Sequence, residues 1–157
     1  ISGHSASFFD QLMVYYNHYT VIGSKITVTY RPTTAVGAIV PGTMGCLLSD
    51  TGARVAGASS LNHLLEYKHQ PKPKFVGSET DVMPKVVTTY SVKKFFGKSF
   101  GLADDSYRGT ASTNPTENAF FEVWACSNGS NNPSAMNFDV LIEFIAYFSE
   151  PQEVAIS

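Results

Sequence analysis

Between residues 20 and 31 the chain alternates, with Ile22, Ile26, Val28 and Tyr30 on one side and Lys25, Thr27, Thr29 and Arg31 on the other. Period-two alternation is what a strand with one buried face requires, because successive side chains point to opposite sides of a sheet. Pro32, which has no ladder donor, closes it. The same pattern returns near the end, where Phe138, Val140, Ile142, Phe144, Ala146 and Phe148 face Asp139, Glu143 and Tyr147 until Pro151 stops the run. Pro84 opens a further strand with Val86, Thr88, Tyr90 and Val92 on one side. Residues 118–126 carry Phe120, Phe121, Val123 and Trp124, β-formers on both faces. Residues 36–40 and 44–48 are shorter strand candidates separated by a Pro41-Gly42 turn, and Asp50-Thr51-Gly52 marks the next turn.

The first segment has a different period. Phe8, Leu12, Tyr15, Tyr16 and Tyr19 fall at i, i+4, i+7, i+8 and i+11, which predicts a helix with Ser7 as its N-cap and Asp10 in its first turn. A second short helix is expected through Leu61, Leu64 and Leu65, capped by Ser59 or Ser60 and ending before Pro71. Residues 72–83 read as an extended loop, 98–116 as a long, polar surface loop, and 127–134, rich in Asn, Gly and Pro, as a connecting loop. Strands in this number, with two short helices and long loops, predict an all-β fold: one domain over residues 1–157, an antiparallel sandwich. The jelly roll is one double-sheet form that limits exposed edges.

Composition narrows the functional classes. Charged residues make up 15% of the chain, low against a typical quarter, so part of the surface is expected to be covered by neighbours. The net charge of -2 is not the positive excess of a nucleic-acid binder, so genome contact would need a local patch or residues elsewhere. No run of about 18 apolar residues occurs, and no membrane insertion is expected. Cys46 and Cys126 have no metal spacing and read as small buried hydrophobes rather than a disulfide. The chain opens on Ile1 and reads as a processed or incomplete segment.

The candidate chemistry is thin. His63, Glu66 and His69 form H-x-x-E-x-x-H, but histidines six apart lie roughly 240° apart around a helix and cannot share a face. Gly97-Lys98-Ser99 lacks the glycine five residues earlier that a P-loop needs, since Val92 stands there. There is no G-x-S-x-G elbow to expose a serine nucleophile. Asp104-Asp105 reads as a solvated loop pair, and Asn128-Gly129-Ser130 as a weak sequon. No enzyme activity and no cofactor are expected. What remains is basic: Lys93 and Lys94 beside Phe95 and Phe96, with Lys98 nearby, can hold single strands by charge and base stacking. Lys25 and Arg31, on the polar side of their strand, are further candidates. The plainer alternative is core phenylalanines beside solvated lysines.

Five blocks of residues, in order, carry a resemblance. They are Phe9-Asp10-Gln11-Leu12-Met13 through Tyr16, His18-Tyr19-Thr20-Val21 and Gly23-Ser24-Lys25-Ile26; Tyr90-Ser91-Val92-Lys93-Lys94-Phe95-Phe96-Gly97; Asn114-Pro115-Thr116-Glu117; Phe121-Glu122-Val123-Trp124; and Ile142-Glu143-Phe144 with Phe148-Ser149-Glu150-Pro151. The chain resembles the capsid proteins of circovirus-like, circular single-stranded DNA viruses. That resemblance implies a single β-jelly-roll shell domain, self-assembly into a small icosahedral virion of about 60 identical copies, viral single-stranded DNA as cargo, a host receptor and assembly in the host nucleus. It also implies an arginine-rich arm and a first strand ahead of the D-Q-x-M helix, neither of which lies in residues 1–157. Coat proteins of small RNA or satellite viruses and lectin-like ligand-binding sandwiches are the competing readings.

Overall fold

The computed structural model describes residues 6–32, 42–57, 60–69, 71–76, 83–97, 104–127 and 136–153. The expected strand at 36–40, residue 41 of the Pro41-Gly42 turn, the alternative cap Ser59, Lys98 and the sequon lie outside them. Six strands carry most of the described chain: β1 (Tyr16–Pro32), β2 (Gly42–Ser49), β3 (Lys74–Val76), β4 (Lys85–Ser91), β5 (Phe120–Ser127) and β6 (Met136–Pro151). They form two three-stranded sheets, ordered β4-β1-β6 and β3-β2-β5. The fold is therefore all-β, as the alternation predicts.

Register follows from paired side chains. His18, Lys25 and Arg31 on β1 meet Glu150, Glu143 and Asp139 on β6. Partner numbers fall as β1 numbers rise, so the two strands run antiparallel. In the second sheet β2 is antiparallel to both neighbours, Met44 lying opposite Lys74 on β3 and Ala125 on β5.

The chain divides into two compact units: Ile1–Ser24, Ser91–Asn118 and Phe144–Ser157 in one, Lys25–Tyr90 and Ala119–Glu143 in the other. In the second unit one core draws on both sheets. Ile26, Val28 and Tyr30 from β1, Met44 and Cys46 from β2, Val76 from β3 and Val86 from β4 are buried together. Thr88 Oγ1 donates to the Cys46 carbonyl at 3.1 Å, which satisfies a buried hydroxyl between the sheets. The other face of β2 is also covered: Leu47 and Trp124 pack with Leu64 of α2 (Leu61–Leu65). Ser60 caps that helix, its side chain accepting from His63 N at 3.3 Å. Cys46 sits in the first cluster and Cys126 is half-buried against the second; both are free thiols, and burial pushes the pKa of each up.

In the first unit the predicted long helix is short. The α1 helix covers only Phe9–Met13, and Tyr16 and Tyr19 belong to β1. Tyr19 exchanges two backbone hydrogen bonds of 2.9 Å with Gly109, and Gln152 N donates to the Tyr15 carbonyl at 2.8 Å. Aromatic residues suit a sheet, and tertiary pairing overrides the helical spacing. Ser7 is not the cap: Phe8 precedes the helix at φ 67, without a side-chain cap hydrogen bond. Three further expectations are corrected. Val92 does not continue β4 but begins a third helix, α3 (Val92–Phe96), which stops at Gly97 because that residue takes the left-handed conformation, φ 70. The 72–83 loop contains β3. The 98–116 loop contains a 3₁₀ turn, Asp105–Tyr107, whose Tyr107 is buried against Phe96 rather than solvated.

Candidate functional site

The basic candidates fall into two environments. Lys25 and Arg31 stand on the outer face of β1, in the second unit, each salt-bridged to a carboxylate of β6. Pairing spends their charge locally, so they are weak anion-binding groups. Lys93 and Lys94 lie in the first unit, exposed on α3. Consecutive helical residues are about 100° apart, so the two ammoniums do not share one face. Phe96 packs edge-on against Phe95 and Tyr107, with ring centres 4.9 and 5.2 Å away. The phenylalanines thus serve packing first, and α3 presents charge without an open stacking platform. Lys25 and Arg31 thus belong to one unit and Lys93 and Lys94 to the other, and Lys98 lies outside the described residues.

The metal-like spacing resolves into separate roles. His63 stacks on Tyr67 with ring centres 5.6 Å apart, Glu66 ends α2, and the His69 carbonyl accepts from Leu48 N at 2.9 Å. Among the described residues no group of three His, Cys, Asp or Glu stands close enough to hold a metal ion. No helix is long and apolar enough to cross a membrane among those residues.

Two arrangements escaped the sequence reading. The first is an ionic cluster in the first unit. Arg108, read as part of a solvated loop, donates to Asp105 Oδ1 at 3.1 Å, Ser149 Oγ at 3.3 Å and Glu150 Oε1. His18 Nδ1 lies 2.9 Å from the other Glu150 oxygen. The Arg108 hydrogen bond holds the Glu150 carboxyl below the ordinary glutamate range, and Glu150 in turn raises Arg108. Glu150 itself is in the left-handed region, φ 58. The partners are 42 residues apart, so no local pattern announces them.

The second is β6. Its alternation predicts an inward apolar face, yet Val140, Ile142 and Phe144 are 49%, 41% and 51% exposed. Leu141, Ile145 and Tyr147, on the other face, are as open. Large exposed apolar patches mark surfaces that meet other molecules. Against known proteins, no family model, curated protein or solved structure matches the chain.

Proposed function

We propose that this chain is a shell-forming domain: a β-jelly roll that assembles with copies of itself into a small icosahedral capsid around single-stranded DNA. The observation that carries the reading is the winding of the strands. The chain enters one sheet at β1, crosses to the other for β2 and β3, returns for β4, crosses again for β5 and returns for β6, which lies beside β1. The return of the fourth strand, β4, to lie beside β1 is what a Greek key requires, and a jelly roll is built from two such keys. The exposed apolar side chains of β6 and the low charge content support a surface meant to be covered. The resemblance to circovirus-like coat proteins supplies the cargo and the closed symmetry.

The mechanism needs no reaction. Identical copies present the same patches, and closed symmetry multiplies each weak contact. Lys93, Lys94 and Lys98 are assigned to the DNA side, with Lys25 and Arg31 contributing less because Glu143 and Asp139 neutralise them. Electron micrographs of the protein expressed from its complete coding sequence test this: closed particles whose contents resist nuclease until opened, and are then destroyed by DNase, are expected. Contents destroyed only by RNase would favour an RNA-virus coat. A monodisperse monomer that a glycan array retains would replace the proposal with a sugar-binding sandwich.

A further inference from the structure

In the unit Lys25–Tyr90 and Ala119–Glu143, most of the unpaired cations are gathered in one short stretch. Lys25, Arg31 and Arg54 each meet a carboxylate. Lys68, Lys72 and Lys74 are exposed, and none of them pairs with an acid among the described residues. Lys85, the unit's other lysine, lies on β4. Glu66 is the sole acid between residues 60 and 76, so the stretch carries net positive charge. It runs along β2: the His69 carbonyl accepts from Leu48 N at 2.9 Å, and Lys74 and Phe75 of β3 stand opposite Met44 and Thr43. β3 ends its sheet, so its other edge has no strand neighbour among the described residues. Lysine and proline on such an edge ordinarily do no more than keep a foreign strand from pairing, and Pro71, Lys72, Pro73 and Lys74 fit that role. Phe75 does not. Its ring is 61% exposed, on the opposite side of the strand from the buried Val76.

An open ring beside unpaired lysines is the combination that holds single strands, with charge following the backbone and a base stacking on the ring. On α3 that combination fails, because Phe95 and Phe96 pack on each other. On β3 it is met. Pro73 keeps Lys72 extended, and residues two apart on an extended chain recur on one side at about 6.6 Å. Lys72 and Lys74 thus form a short row, with Phe75 across the edge from it. We infer that the free edge of β3 is a binding site for single-stranded nucleic acid. Phosphates lie on Lys72 and Lys74, one base stacks on Phe75, and Lys68 adds charge further along the same run. A sulfated polysaccharide would meet the same lysines but has no base to stack, so the exposed ring favours the nucleic acid. The site lies in a different unit from Lys93 and Lys94. As a place for packaged DNA it rests on the coat-protein reading; as a nucleic-acid site it rests on the ring and the lysines alone. Oligonucleotide binding without particles would sink only that reading.

The test titrates a short fluorescein-labelled oligothymidylate into the chain and follows anisotropy, with heparin titrated in parallel. One thymine is replaced by iodouracil for photocrosslinking, and mass spectrometry is expected to find the crosslink on Phe75. That readout uses the unaltered chain and does not depend on how any variant folds. Lys72→Glu with Lys74→Glu should weaken oligonucleotide binding at least about tenfold and lower the salt slope by roughly 0.7 for each lysine removed. Phe75→Ala should weaken it at least about fivefold while leaving the salt slope and the heparin affinity as they were. Crosslinks confined to α3 overturn the proposal, as does an oligonucleotide affinity that either variant leaves unchanged. Equal losses for heparin and oligonucleotide in Phe75→Ala overturn it as well, since the ring would then not be reading a base.

Discussion

Gly45 shows how a single position sets the second core. It pairs with Trp124 across the β2–β5 ladder, and a Cβ there would lie 2.3 Å from the indole ring. Gly45→Ala is therefore expected to destabilise the fold by about 1–3 kcal/mol, the usual range for overpacking a filled core. Chemical denaturation followed by fluorescence of Trp124, the sole tryptophan, measures it, and an unchanged midpoint would show that the indole shifts freely. Glu122 plays a comparable part for the turn after β2. Its carboxylate accepts from Ser49 Oγ, from Arg54 N at 3.1 Å and from Val55 N at 2.8 Å. Glu122→Ala leaves these donors without their acceptor and should cost about 1–3 kcal/mol, with Glu122→Gln recovering part of it. A loss no larger than for an exposed glutamate would assign the turn's stability elsewhere.

At the scale of elements, the strands were legible because their period is local: β1, β2, β4, β5 and β6 all lie where alternation or β-formers place them. The failures are elements decided at long range. Tyr16 and Tyr19 satisfy a helical spacing but belong to β1, where Tyr19 exchanges hydrogen bonds with Gly109, and β3 is too short to show a period. The Arg108–Glu150 cluster is invisible for the same reason, and it carries a pH dependence. Glu150 titrates below its ordinary value because Arg108 favours the carboxylate. Its contribution is thus fully present above the unfolded glutamate value, about 4.3, and is lost as pH falls through the lower folded value. NMR titration of the Glu150 carboxyl should give a midpoint below that of an exposed glutamate, moving back towards it in Arg108→Gln. A midpoint unmoved by Arg108→Gln would assign the depression to another group.

For the whole molecule, the inner face of β6 is where pattern and structure part. Alternation identified the face that should be covered, but not that Val140, Ile142 and Phe144 on it are exposed; a periodicity reports what a strand needs and not what supplies it. The basic residues show the converse, since Lys25 and Arg31 are candidate DNA contacts in sequence and are ion pairs in space. Changing Lys93 and Lys94 to glutamate together should lower the DNA held per particle several-fold and reduce the salt dependence of DNA binding by roughly one unit of slope per lysine lost. The melting temperature should stay within a few degrees, because both side chains are exposed. Unchanged DNA content would remove α3 from the interior surface. The most direct measurement of the central claim is negative-stain electron microscopy of the protein from its complete coding sequence. Uniform closed shells are the expected result; a field of discrete monomers at every concentration would contradict it.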